Sequence, residues 1–212
     1  MASGVLQTPT VIAAFETIDR ADFVPPSTRR RNGQASSGRV YTNEPLPIGF
    51  GQTISQPWTV AFMLEKLRPA AGQKVLDVGS GSGWQTALLA CIAGSSAGGR
   101  VIGLELIPEL FQQSVRNIAR YNFIGRRIVE LHCLNGVKGF PAAAPFDRII
   151  SAAAAEAVPP AWLEQLKIGG WLVAPVDSTI VAMEKLAPEK FATQTFPGFT
   201  FVPFVAGEEN EN

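Results

Sequence analysis

The order of apolar and polar positions divides the chain into alternating helices and strands. Val11, Ile12, Phe15 and Ile18 recur at helical spacing and predict an amphipathic helix over residues 10–20. Pro25 and Pro26 stop it, because a residue before proline is pushed out of helical backbone space. Trp58, Ala61, Phe62, Leu64 and Leu67 mark a second helix opening at Gln56-Pro57, proline being suited to a first helical turn. Lys74–Val78 is a short apolar run of buried-strand type, and helical spacing from Ala87 onward follows it. Residues 100–106 (RVIGLEL) and 127–134 (RIVELHCL) read as two more strands, with a helix at 108–121 turning Leu110, Val115 and Ile118 inward. A strand at 145–151, a short helix at 161–166, strands at 171–176 and 179–186 and an aromatic-rich last strand at 196–205 complete the series. Lys167–Gly170 is expected to cap the short helix and turn the chain. Strands alternating with helices predict an α/β fold around a mostly parallel sheet.

The connections are of different kinds. Residues 28–38 (TRRRNGQASSG), with Arg29, Arg30 and Arg31, read as a solvated loop. Residues 41–55 hold two prolines, two glycines and several apolar groups, and are expected to be ordered against the core. Residues 94–99 form a flexible link, and the acidic tail 207–212 is expected to fray.

Composition narrows the class. A chain of 212 residues suits one α/β domain with a large core. Eighteen basic and eighteen acidic residues leave no net charge, so neither nucleic acid nor an anionic membrane is an expected partner. No apolar run approaches bilayer length, and the N-terminus lacks a signal-peptide apolar region. Cys91 and Cys133 lack metal spacing and are expected as small buried hydrophobes in a reducing, cytoplasmic setting. The sole histidine, His132, lies in strand alternation without partner ligands, which argues against a metal site.

The densest chemistry lies after the 74–78 strand. Gly79-Ser80-Gly81-Ser82-Gly83 joins it to a helix, and such a turn lets backbone N–H groups approach an anion or dipole closely. The third glycine comes one residue earlier than in the dinucleotide pattern G-x-G-x-x-G, and Trp84 fills the later slot. That form points to S-adenosylmethionine rather than NAD. Glu105, at the tip of the next strand, is placed to accept hydrogen bonds from both hydroxyls of a ribose. The Asn135 amide offers a donor and an acceptor to an adenine edge, although Asn-Gly also forms simple turns. Ser55 or Gln56 lies at a helix start, where partial positive charge favours a carboxylate; a plain N-cap hydroxyl is the other role for Ser55.

Together DFVP (22–25), LPIGFGQTISQP (46–57), VLDVGSGSGWQTALLA (75–90), APFDRIISAAA (144–154), LEQLKIGGWLVAPV (163–176) and FVPF (201–204) resemble the protein-L-isoaspartate (D-aspartate) O-methyltransferase family. The glycine motif is shared with methyltransferases at large, whereas LPIG followed by QTISQP separates this family from its relatives. The resemblance implies a Rossmann-like S-adenosylmethionine-dependent methyltransferase fold, a doubly wound, mostly parallel seven-stranded sheet. It implies a single domain, with an active-site segment at 1–57, a donor-binding core at 58–176 and C-terminal strands and tail at 177–212. Gly79, Ser80, Gly81, Ser82 and Gly83 would hold the methionine and ribose end of S-adenosylmethionine. Glu105, with Leu106 beside it, would bind the ribose, and Asn135 and Gly136 the adenine. Gln52, Thr53, Ile54 and Ser55 would lie over the sulfonium and substrate, Ser55 matching the family's active-site serine and Thr53 assisting. The implied reaction is methylation of isoaspartyl carboxylates in damaged proteins; separately, a monomer in the cytoplasm is the expectation. The chain departs from the family at Asn135, where Asp is usual; residues 28–38 match nothing in the family, and 176–199 align poorly. A methyltransferase with another acceptor, and a donor-binding paralogue without turnover, share the donor half.

Overall fold

The chain is seen in a computed structural model that describes residues 4–31, 34–35 and 37–204, with backbone alone for 30, 31, 34, 35 and 37. The acidic tail 207–212 and part of the 28–38 segment lie outside the described residues. Helix α1, Pro9–Thr17, buries Val11 and Ala14. It ends three residues earlier than its apolar spacing predicts, because Asp19 caps a separate 3-10 turn, Arg20–Phe23, by accepting from Ala21 N–H. Arg30–Arg31 (β1) and Gln34–Ala35 (β2) pair antiparallel. Leu46–Gly49 (β3) and Gln52–Ile54 (β4) form a hairpin with Phe50 and Gly51 at φ 54° and 72° in its turn, which orders the 41–55 connection. Helix α2, Pro57–Leu67, buries Val60, Ala61, Met63, Leu64 and Leu67.

The remaining elements build the main sheet. They are β5 (Lys74–Val78), α3 (Trp84–Ala93), β6 (Arg100–Glu105), α4 (Pro108–Ala119), β7 (Val129–Cys133), β8 (Phe146–Ser151), α5 (Pro160–Gln165), β9 (Leu166–Val176), β10 (Thr179–Ala187) and β11 (Lys190–Pro197). Seven strands lie in the order β11-β10-β9-β8-β5-β6-β7. Those from β7 to β9 run parallel, while β10 and β11 fold back antiparallel as an edge meander. Side chains alternate across β5: Val75 packs with α2 and α3 on one face, Leu76 and Val78 with Trp162 of α5 on the other. This is the Rossmann-like arrangement the motifs imply. The chain leaves β5 for β6 on one side and β8 lies on the other, so a switch point opens at the carboxyl end of β5.

Three expectations are corrected. The last strand is Lys190–Pro197, not 196–205, since Pro197, Gly198 (φ 95°) and Pro203 break any ladder beyond it; residues 198–204 keep one bridge, Ala154 to Pro203. Lys167–Gly170 is not a helix cap but the start of β9, with Gly169 at φ 77° and the register shifting opposite Phe146 and Arg148. Cys133 is exposed at the end of β7, not buried, while Cys91 is half-buried and packs against the core.

Candidate active site

The glycine turn sits at the switch point. Gly79, Gly81 and Gly83 have φ of 74°, 55° and 93°, backbone that side chains strain to adopt. Gly79 and Ser80 N–H both donate to Leu104 O at 2.9 Å. Glu105, 7% exposed, accepts from Gly81 N–H at 2.7 Å through Oε2 and from Ile107 N–H at 3.0 Å through Oε1. Behind the turn, the fully buried Asp77 accepts from Gln85 Nε2 at 2.7 Å and Thr86 Oγ1 at 2.6 Å, fastening the first turn of α3 to β5. Burial pushes its carboxyl up to about 6; the two hydrogen bonds oppose that rise and the charge of Glu105 adds to it.

Two cavities open along this edge. A narrow one, about 80 Å³, is walled by Gly79, Gly81, Glu105, Leu106, Gly136 and, from outside, Val202–Phe204. A broad groove of about 830 Å³ holds Ser55 and Thr53 against residues 195–202 and the aromatic face of α2. Trp58 stacks on Phe62 at 5.3 Å and on Phe199 at 6.1 Å, and Phe196 meets Phe62 edge-on at 5.1 Å. No ionisable side chain lines this groove among the described residues. Thr53, Ala152 and Val202 line both cavities and frame the passage between them.

Of the residues singled out in the sequence, Gln52, Thr53, Gly79, Gly81, Glu105, Leu106 and Gly136 line the narrow cavity, and Thr53 and Ser55 the groove. Ile54 instead joins the core, and the buried Ser80 and Ser82 do not line either cavity. Gly83 packs on α4, where an added Cβ would stand 2.9 Å from Ile118 Cδ1. Asn135 does not wall the cavity either: its Oδ1 accepts from Val137 N–H at 3.0 Å, capping the turn Gly136–Lys138. The N-cap of α2 is Gln56, which leaves the Ser55 side chain free of that duty. Residues given no role from the sequence include Ile107, Leu134, Ala152 and the 198–204 segment, although Ala152 lies in the APFDRIISAAA match and 201–204 in the FVPF match. His132 lies with Nε2 2.9 Å from Glu130, and no cluster of three potential metal ligands occurs among the described residues.

The family model for protein-L-isoaspartate (D-aspartate) O-methyltransferase matches residues 1–209. The protein-L-isoaspartate O-methyltransferase of Staphylothermus marinus is 38% identical over 95% of this chain and 88% of its own. That of Methanopyrus kandleri is 39% identical over 97% and 87%. A Plasmodium falciparum structure of the same designation, in complex with S-adenosyl-L-homocysteine, superposes with a TM-score of 0.83 at 22% identity, covering 96% of this chain and 94% of that one, and so shares the fold. The chain belongs to the protein-L-isoaspartate (D-aspartate) O-methyltransferase family.

Proposed function

We propose that the chain transfers a methyl group from S-adenosylmethionine to the free carboxylate of L-isoaspartyl and D-aspartyl residues in damaged proteins, initiating their repair. The observation that carries this reading is the pair of cavities meeting at Thr53, Ala152 and Val202, one floored by the glycine turn and Glu105, the other holding Ser55.

The residues present fit the donor. A Cβ at Gly81 would stand 3.3 Å from Ile48 Cδ1 and one at Gly136 2.4 Å from Val78 Cγ1, so bare backbone forms the cradle. Glu105 would accept the ribose hydroxyls on lone pairs that its two N–H bonds leave open. Gly79 and Gly81 would bound the methionine end, and Leu106, Ile107 and Leu134 would flank the adenine. At about 80 Å³ the cavity is smaller than the roughly 300 Å³ at which small-molecule pockets begin, so the donor would need the outer wall, Val202–Phe204, to give way. That wall is held by Ala154 N–H to Val202 O at 2.9 Å, Phe204 N–H to Ala154 O at 2.6 Å and the edge contact of Phe204 with Trp162 at 6.2 Å.

The bound donor supplies an electrophilic methyl carbon on a cationic sulfur. A carboxylate with an ordinary pKa of about 4 is ionised at neutral pH, so the chain needs no general base to activate it. What it provides is position and dryness. The Ser55 hydroxyl donates to the acceptor carboxylate, Thr53 stands at the passage, and the Trp58–Phe62 wall keeps water out. The balanced charge supports a chain without a nucleic-acid partner, and no described helix is long and apolar enough to cross a membrane. Radiolabelled methyl transfer to an isoaspartyl peptide and to its normal aspartyl twin tests the reading. Label in the first alone supports it; label in neither, or in both alike, overturns it.

A further inference from the structure

Arg20 opens the 3-10 turn after α1 and is 3% exposed. A buried guanidinium ordinarily faces a carboxylate, because taking a cation out of water is costly. None of the ion pairs among the described residues involves Arg20. Its fork meets backbone carbonyls from two separate segments instead. Nη1 donates to Val40 O and reaches Thr42 O at 3.5 Å; Nη2 donates to Glu44 O at 2.9 Å and to Ser55 O at 3.1 Å. Nε has no partner, and the guanidinium carbon stands 5.4 Å from the ring centroid of Trp84, the residue after Gly83. Burial lowers the pKa of Arg20 to about 10, so it stays cationic at neutral pH.

Carbonyl dipoles disperse a full positive charge without cancelling it. That charge lies directly behind the Ser55 peptide group, while the groove in front of it has no ionisable side chain in its wall among the described residues. We infer that Arg20 is a positioning residue for the acceptor: it fixes the Ser55 peptide, and its uncompensated charge selects a peptide bearing a carboxylate over the same peptide made neutral. This rests on the reading that Ser55 faces an isoaspartyl carboxylate. Lys66 is a second cation near the groove, its Nζ 5.4 Å and 4.7 Å from the ring centroids of Phe62 and Phe196, and it serves as the control.

The test measures, with the protein held in S-adenosylhomocysteine, the affinities of an isoaspartyl peptide and of its twin with that carboxylate converted to a carboxamide. Wild type favours the carboxylate peptide by about tenfold, the size of one partly screened charge–charge term. In Arg20→Met and Arg20→Gln the preference falls to within about twofold of none, whereas Arg20→Lys keeps it but, lacking the planar fork, turns over about tenfold more slowly. Lys66→Met leaves it unchanged. A merely structural role weakens both peptides alike. A wild-type preference near one, a preference surviving in the neutral Arg20 variants, or one lost in Lys66→Met overturns the inference. Should neither neutral variant fold by thermal melting, the wild-type and Lys66→Met preferences decide it. Wild-type protein that transfers no methyl group overturns the functional reading itself; transfer with an unaltered preference removes only the role of Arg20.

Discussion

The carboxylate of Glu105 accepts the amide proton of Gly81 at 2.7 Å, so the tip of β6 holds the middle of the glycine turn. One residue thus shapes the cradle and offers lone pairs to what lies in it. Glu105→Gln keeps a single acceptor oxygen and turns an amide donor toward Gly81 N–H or Ile107 N–H. Hydrogen bonds to charged groups are worth about 1.5–3 kcal/mol, so affinity for S-adenosylhomocysteine should fall by about ten- to a hundredfold in calorimetric titration. Unchanged affinity contradicts the assignment.

Gly81→Val combines left-handed strain with intrusion, since its Cβ would approach Ile48 at 3.3 Å. Gly169 shares the positive φ, at 77°, but a Cβ there meets nothing within 4 Å. Gly81→Val should abolish donor binding while Gly169→Ala, carrying strain of about 1–2 kcal/mol, should leave it intact. Equal losses in both would assign the effect to strain rather than to the cradle.

Ser55→Ala removes a hydroxyl from the groove but leaves the carbonyl that Arg20 holds. Turnover on an isoaspartyl peptide should drop by about a hundredfold, the scale of losing one oriented donor. Donor affinity should stay within about twofold, since binding energy there comes from other groups. Single-turnover kinetics beside titration separates the two; a parallel loss argues against an orienting role.

Ala152 lines both cavities at the passage between them. Ala152→Leu adds three carbons there and should suppress methyl transfer while both ligands still bind. Filter-binding of donor and peptide, set against the transfer rate, checks this; a rate near wild type means the methyl takes another route.

Asp77 gives the fold a pH dependence of defined sign. Its carboxyl is raised from 3.8 to about 6 in the native state, so native protein binds the proton more tightly than the unfolded chain. The stabilising contribution is complete below about pH 4 and is lost as pH rises through about 6, a change of about 3 kcal/mol. Asp77→Asn removes this titration. Its stability relative to wild type should therefore rise between pH 4 and pH 7 in urea melts, and a constant difference would exclude the effect.

That Gly79, Gly81 and Glu105 meet at one cavity was legible because one chemical need writes itself into closely spaced residues. Bare backbone at Gly79 and Gly81 and an acid at Glu105 follow the rhythm of a βαβ unit. The parts that escaped carry no rhythm. Strand β11 has most of its residues exposed, so no alternation marks it, and 198–204 pairs through a single bridge. Asn135 reads as a ligand by position, yet its own following turn claims its oxygen. Arg20 reads as an ordinary solvated charge after a helix, because nothing local in sequence announces that Val40, Glu44 and Ser55 converge on it.

Segment 198–204 borders both chambers, with Val202 facing each. Whatever shifts it to admit one ligand reshapes the seat of the other, so the two arrivals are not independent events. A polypeptide seated against Phe199 and Phe201 would bear on the same segment that walls the narrow cavity, so on the proposed function the nucleoside would enter before it and leave after it.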